Sequence, residues 1–474
     1  MIEYPLWMNG REEAGERVRT LCIPYDGEPF ARVHEAGAAQ LDAALEAARR
    51  AAREMRALPA AARAAILRRA HALLEERREE FARTICQESG KPLREARAEA
   101  GRAAETLLFS ASEALRLAGE AVPMEAAAAG AGRLAMTVRE PLGVIAAITP
   151  FNFPLNLSMH KIGPALAGGN AVVHKPASAT PLSGLLLARL FADAGLPPGA
   201  LNVVPGPGAV IGDRLVDDPR TAMVTFTGSA EVGIAIRARA GLKRVTLELG
   251  NNSALIVHAD ANLEDCVARA VPGAYAHSGQ VCISVQRILV QASIFNEFRQ
   301  RFTEAASTLR VGHPLDERTE VSSLITAAEA ARVTGWLRAA AAAGAHVNGG
   351  AASGPATITP AVLTEVPEEA DVWMNEAFGP LACLRPYQDL DEAIAAVNRS
   401  PYGLQAGIFT RDLSAAFRAA REVEVGGFLI NDVPQFRVDQ MPYGGVKMSG
   451  TGREGPRYAI EEMTEPKLIT WRWN

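Results

Sequence analysis

The sequence is poor in cysteine. Its 474 residues carry five, Cys22, Cys86, Cys266, Cys282 and Cys383, scattered widely with no CxxC pair and no nearby histidine at metal-ligand spacing. Neither a disulfide framework nor a metal site is expected. No apolar run approaches the roughly 18 residues that a membrane span needs, and Met1-Ile2-Glu3-Tyr4-Pro5 is not a basic region leading into an apolar stretch. A reducing cytoplasmic location without membrane contact is therefore expected. Charge of one sign is scarce too: the formal net charge is -5, and no basic block is interleaved with aromatics. Nucleic acid is excluded as an obvious partner, which leaves a small molecule.

Apolar residues make up 48% of the chain and charged residues 22%, the balance of a globular protein. At 474 residues the chain outgrows one core, so two domains and a small third element are expected. Residues 38–120 are dense in Ala, Arg, Glu and Leu with apolar residues at three- and four-residue spacing, which predicts several amphipathic helices. From residue 134 short apolar runs alternate with helical stretches: Leu142–Thr149, Ala171–His174, Leu201–Val204, Met223–Phe226 and Val245–Leu249. The pattern repeats in Ser253–Val257, Arg287–Val290, Leu381–Arg385, Ala406–Phe409 and Gly427–Ile430, with a helix over Ile294–Leu309. Strands alternating with helices predict parallel sheets wound on both faces. The fold class is α/β, with two doubly wound Rossmann-like domains, residues 1–121 with 139–250 and residues 251–440. Residues 122–138, read as an excursion with an exposed edge that needs a partner, join 455–474 in a small hairpin element.

Cys282, in Ser278-Gly279-Gln280-Val281-Cys282-Ile283-Ser284, has the greatest chemical reach, with the carboxylate of Glu248 upstream in Leu247-Glu248-Leu249-Gly250. A thiol adds to carbonyl carbon, and a carboxylate takes a proton from a thiol or a water. Alone, a free cysteine is more often a small buried apolar residue. Thr149-Pro150-Phe151-Asn152-Phe153-Pro154 follows a strand; the Asn152 amide is able to donate to an oxyanion, and the same residues also make an ordinary turn. His174-Lys175-Pro176-Ala177-Ser178 puts Lys175 at the carboxyl end of a strand, where nucleotides bind in open α/β sheets, or else leaves it a solvated loop lysine.

Phe226-Thr227-Gly228-Ser229 joins a strand to a helix that Thr227 or Ser229 is able to cap, with backbone free to approach a diphosphate. It is neither a GxGxxG nor a Walker loop, and Gly206-Pro207-Gly208 makes a weaker turn of the same kind. In Asn375-Glu376-Ala377-Phe378-Gly379-Pro380, Glu376 suits a ribose and Phe378 a planar ring, though each also suits an ordinary surface or core position.

The ordered set PFNFP, KPxxxTP, FTGSxxxG, ELG, GQxC, NExFGP and PYGGxKxSGxGRE resembles the NAD(P)-dependent aldehyde dehydrogenase family over nearly the whole chain. The resemblance implies that Cys282 attacks an aldehyde to give a thiohemiacetal, with Asn152 and the Cys282 N–H holding the oxyanion. It implies that hydride then leaves for NAD or NADP, that Glu248 activates the water that hydrolyses the thioester, and that Lys161 lies near the active site. Thr149, Pro150, Lys175, Ser178, Gly208, Thr227, Gly228, Ser229, Gly250, Glu376 and Phe378 would hold the cofactor. His160, Phe153, Arg437 and Tyr443 would face the substrate. The family also implies a homodimer or homotetramer built through the hairpin element.

The chain departs from the family pattern at three places. Ser178 stands where many members have a glutamate that repels a 2′-phosphate, so NADP becomes acceptable. Asn251 follows Gly250 where a second glycine is usual, suggesting an altered backbone, and Pro205 replaces a threonine. Arg437 suits an anionic tail, or else a structural salt bridge or subunit contact, and Phe436-Arg437-Val438-Asp439 is similar to members acting on lactaldehyde- and phosphonoacetaldehyde-type substrates. Rival readings are a coenzyme A-acylating relative, an inactive binding relative, and a cysteine hydrolase with His277 as base.

Overall fold

The computed structural model describes residues 1–473. Four helices follow the N-terminal strands: α1 (Ala38–Ala57), α2 (Ala60–Glu76), α3 (Arg78–Ser89) and α4 (Leu93–Ala114). In α1 the buried side chains Leu41, Ala44, Leu45, Ala48, Ala51 and Met55 recur every three or four residues, the stripe that lays one helix face on a core. Gly90 ends α3 with φ 72°, a left-handed cap that lets the chain turn directly into α4.

The first large sheet runs Gly450–Thr451, Arg244–Glu248, Thr221–Thr227, Val144–Ile148, Ala171–Lys175, Leu201–Val203, Leu6–Met8, Arg11–Glu13. Its five central strands, from Arg244–Glu248 to Leu201–Val203, are all parallel. Helices cover both faces, so the strands read as unbroken apolar runs; burying Ile145, Val172 and Val173 completely contributes about 1.5–3 kcal/mol for each. Chain order reverses between Val144–Ile148 and Thr221–Thr227, and the crevice outside the carboxyl ends of such a pair is where α/β sheets bind ligands.

The second sheet runs His346–Gly349, Ala361–Thr364, Leu381–Tyr387, Arg287–Gln291, Ala254–Val257, Gln405–Phe409, Gly427–Ile430, all parallel except the first. The two sheets meet in opposite sense. The first presents the carboxyl ends of its strands, carrying Thr149–Phe153, Thr227–Ser229 and Glu248. The second presents its amino ends, with Asn251 before Ala254, Cys282 before Arg287 and Phe378 before Leu381.

Three expectations need correction. The strand Arg133–Pro141 is a middle strand and not the edge: Thr464–Arg472 pairs with it over nine residues and Ala121–Val122 pairs on its other side at Met136 and Ala135. The unpaired edge is that of Thr464–Arg472, with Leu468, Ile469 and Trp471 exposed; Asn474, included in the predicted element, lies outside the described residues. The first 37 residues, for which no strand was expected, form a sheet of Ile2–Tyr4, Pro29–Glu35 and Arg17–Cys22 and lend two strands to the first large sheet. Asn251 keeps ordinary backbone geometry rather than a left-handed turn, and its side chain instead donates to Ser253 Oγ at 2.6 Å. Among the described residues, no helix is long and apolar enough to cross a membrane.

Candidate active site

One cavity of about 580 Å³ lies between the two sheets. Its wall includes Pro150, Phe151, Asn152, Thr227, Gly228, Ser229, Glu248, Gly250, Cys282, Glu376 and Phe378. Asn152 Nδ2 donates to the carbonyl of Gln280 at 2.8 Å, which ties the asparagine loop to the cysteine loop two residues before Cys282. That leaves the second Nδ2 hydrogen for a ligand, while Oδ1 is buried without a partner. The turn before Cys282 is built from two consecutive left-handed residues, His277 (φ 47°) and Ser278 (φ 57°), followed by Gly279 at φ 73°. Such strain persists only where surrounding bonds enforce it. Glu95 accepts the His277 N–H at 2.7 Å, and Ser278 Oγ donates to the Ser322 carbonyl at 2.9 Å.

Cys282 is half-buried, and burial pushes its thiol up to about 12 against a hydrogen bond from Tyr443. Glu248 is fully enclosed with neither carboxylate oxygen partnered. Burial first, then the neighbouring Glu454, hold it well above the usual carboxylate range. A carboxyl of raised pKa with free oxygens suits a general base, since its conjugate acid is not too strong at neutral pH. Burial would raise Glu454 as well, but Lys161 and Arg437 hold it near 2. Lys161 donates to Glu454 Oε1 and to Thr227 Oγ1, each at 2.7 Å. His277 makes no bond to Cys282, and both its ring nitrogens lack partners, so nothing supports a Cys–His hydrolase pair.

The cofactor-side residues divide into two groups. Gly228, Ser229, Gly250, Glu376 and Phe378 line the cavity, and a Cβ on Gly250 would run into the Glu376 carboxylate. Glu376 accepts the Asn251 N–H at 3.0 Å, and burial raises its pKa to about 7. The helix Ala230–Arg239 begins here without any side-chain cap, so neither Thr227 nor Ser229 caps it and Thr227 serves Lys161 instead. Its open N–H groups and the backbone approach at Gly228 fit a diphosphate.

Thr149, Lys175, Ser178 and Gly208 are not part of that wall. Thr149 Oγ1 bonds His174 Nε2 at 3.0 Å, Ser178 Oγ donates to Gly206 O at 3.2 Å, and Gly208 opens a π-turn over Gly208–Gly212. Burial lowers Lys175 to about 8, opposed by Glu35. Glu35 also pairs with Arg19, which in turn donates to the Ser178 carbonyl. These two residues had no motif to mark them.

The residues expected to face substrate belong to a buried charge cluster. Phe153 packs with Val281, Cys282, Ile283, Leu404 and Tyr443. Arg437 pairs with Glu454 Oε2 at 3.0 Å and lies 3.7 Å above the Tyr443 ring. Its Nη2 is 3.1 Å from His160 Nε2, while its buried Nε has no partner. His160 is 2.7 Å from Asp439 Oδ1, which also accepts from Arg102 and from Asn156 Nδ2. The ring does not reach the cavity wall.

The structure also adds a polar stripe on α4 that the motifs do not mark. Glu95, Glu99, Arg102 and Thr106, spaced four, three and four residues apart, share one face. Glu95 holds His277, Glu99 accepts the Leu155 and Asn156 N–H groups at 2.9 and 3.1 Å, and Arg102 binds Asp439. Lys91 neutralises Glu99 and sits 3.6 Å over the Phe153 ring. One helix thereby fixes the loops carrying Asn152, Cys282 and Arg437. The only signal available in the sequence was a charged residue at each core-spaced position, where a solvated face was the simpler reading.

Known proteins are similar to this chain over nearly its whole length. A match to the aldehyde dehydrogenase family spans residues 10–469. The chain is 47% identical over 467 residues to the 3-sulfolactaldehyde dehydrogenase of Priestia megaterium, covering 98% of each. It is similar to the crystal structure of aldehyde dehydrogenase 21 from Physcomitrella patens in complex with the reaction product succinate, with a TM-score of 0.97 and 38% identity over 99% of this chain and 98% of that one. A second solved structure is the NADP-dependent glyceraldehyde-3-phosphate dehydrogenase from Bacillus halodurans complexed with NADP, with a TM-score of 0.97 and 34% identity over 100% of both chains. A family match of this span, together with these identities, shows that the chain belongs to the aldehyde dehydrogenase family.

Proposed function

We propose that the protein oxidises a small polar aldehyde to its carboxylic acid with NAD or NADP, using Cys282 as nucleophile. The observation that carries this reading is the single cavity wall shared by Asn152, Glu248 and Cys282 and by the open helix N-terminus at Ser229. The residues present fit a dinucleotide: Ser229 and the amides around Gly228 suit the diphosphate, Glu376 and Lys175 the riboses, and Phe378 the nicotinamide end. When bound, NAD(P) supplies the two-electron acceptor that the chain itself lacks.

The protein's own groups do the rest. Glu248 takes the thiol proton, Cys282 Sγ bonds to the aldehyde carbon, and the carbonyl electron pair moves to oxygen. Asn152 Nδ2 donates to that oxygen, a role whose loss typically costs about 2.7–4 kcal/mol of barrier. After oxidation to the thioester, Glu248 activates the water that releases the acid. Lys161 and Arg437 keep Glu454 ionised beside Glu248, and that negative charge raises the proton affinity of Glu248 as it takes the thiol proton; Glu248 passes this proton to solvent before it activates the deacylating water.

Arg437 supports an aldehyde with an anionic tail. It is a buried cation with an unpartnered Nε, stacked on the Tyr443 ring, and a guanidinium suits a carboxylate, sulfonate or phosphate. The substrates and products named for three of its relatives, 3-sulfolactaldehyde, succinate and glyceraldehyde-3-phosphate, carry such groups. Asp439 holds His160, whose Nε2 meets Arg437 directly.

Residues 1–121 with 139–250 form the cofactor domain, 251–440 the catalytic domain, and 122–138 with 455–474 the element through which a homodimer or homotetramer assembles in the cytoplasm. The test is a panel of small aldehydes with neutral and anionic tails, followed by absorbance of the reduced cofactor with NAD and NADP. Free acid as product is expected; an acyl thioester on adding coenzyme A would replace hydrolysis by acyl transfer.

A further inference from the structure

The Tyr443 hydroxyl lies 3.0 Å from Cys282 Sγ, the one hydrogen-bond partner of that sulfur among the described residues. Sequence alone placed this tyrosine with the substrate. Its position is fixed from two directions. The Tyr443 N–H donates to the Glu454 carbonyl at 3.1 Å and its own carbonyl accepts the Glu454 N–H at 2.7 Å, so the backbone cannot drift. The ring is buried and held under the Arg437 guanidinium, 3.7 Å above its face. A cation on the ring face draws electron density from the phenol oxygen and makes its O–H a stronger donor. Arg437 is itself anchored by Glu454, so the donor, the ring and the cation form one rigid unit.

Resting on the aldehyde-oxidation reading, we propose that Tyr443 is a catalytic residue: its O–H donates to the Cys282 thiolate, holds it ready, and releases it as sulfur bonds to the carbonyl carbon. A half-buried thiolate is costly without a donor: burial pushes this thiol up, and the hydrogen bond from Tyr443 is the largest effect opposing it. The thiol proton passes to Glu248, whose two oxygens are free. As the S–C bond forms, the carbonyl π pair moves to oxygen, where Asn152 receives it. The sulfur loses its negative charge and with it the hydrogen bond from Tyr443, which keeps its proton throughout. The interaction thus favours ionisation of the thiol without a change in the phenol.

The test is the pH dependence of iodoacetamide alkylation at Cys282 in the full-length protein, with Cys282→Ala as the blank for the remaining cysteines. In Tyr443→Phe the half-point rises by about one to two pH units, the worth of a hydrogen bond to a charged group. Aldehyde oxidation at neutral pH falls by about ten- to a hundredfold and recovers as pH rises. Replacing Tyr443 by 3-fluorotyrosine, which keeps the hydroxyl and makes it more acidic, moves the half-point down. This second protein carries the decision if Tyr443→Phe melts early. An alkylation profile that stays in place in both proteins, or an activity loss confined to KM, makes Tyr443 a substrate contact and overturns the proposal. Wild-type protein that reduces neither NAD nor NADP with any small aldehyde overturns the aldehyde-oxidation reading instead, whatever the alkylation profile does.

Discussion

The two walls that meet at Cys282 are made of different material. On the cofactor side the chain presents backbone: the uncapped start of Ala230–Arg239, the close approach at Gly250, and turns at the carboxyl ends of parallel strands. On the other side it is backed by charge buried behind the cavity surface: Lys161, Arg437, Glu454, His160 and Asp439, each satisfied mainly by another member of the set. A backbone wall depends on chain geometry and tolerates side-chain change. A wall of buried ion pairs depends on every partner, because removing one leaves an uncompensated charge.

That difference can be broken or sharpened by experiment. The largest effect belongs to the point where the walls meet: Cys282→Ala abolishes formation of reduced cofactor while fluorescence titration still shows cofactor binding, and turnover near wild type would sink the mechanism. Asn152→Ala lowers kcat by roughly 10²–10³-fold, with cofactor affinity retained; equal losses in affinity would return Asn152 to a turn residue.

On the charged wall, Lys91→Met strands Glu99 and costs about 3–5 kcal/mol in urea unfolding. Adding Glu99→Met to it restores little, because the Leu155 and Asn156 N–H groups then lose their acceptor. Full recovery in the double variant would show that Glu99 serves only to balance Lys91.

The backbone wall predicts gentler responses. Lys175 carries its charge below about pH 8 and loses it above. NADP affinity therefore weakens as pH rises through 8, and in Lys175→Met the inflection disappears from the titration. Smallest of all, Ser178→Glu weakens NADP relative to NAD by about tenfold, about 1.4 kcal/mol, read as a ratio of dissociation constants. Since Ser178 Oγ turns to Gly206, an unchanged ratio would hand cofactor preference to Glu35 and Arg19.

The same division explains what could be read before the fold was known. Strands such as Val144–Ile148 and Ala171–Lys175 were legible because both faces are buried, which leaves continuous apolar runs. The cofactor turns were legible because glycine and proline at strand ends have few other uses. The N-terminal strands were not: Arg11–Glu13 and Arg17–Cys22 are exposed edge segments with polar side chains, carrying no periodic apolar signal. Arg437 showed itself only as a charge at an odd place, with a structural salt bridge or subunit contact read ahead of a substrate contact, and the structure gives it both Glu454 and a free Nε.

By itself the sequence determined the alternation of strands and helices, the order of the short motifs, and Cys282 as the residue to which they lead. These are local properties, set by burial pattern and by the few residues able to make each turn. Only the tertiary structure decided that α4 braces three loops, that Glu454 pairs with both Lys161 and Arg437, and that Tyr443 reaches the Cys282 sulfur. Each of those contacts joins residues far apart in the chain, most of them on different elements, and a charge or hydroxyl carries no mark in sequence of the partner that burial will give it.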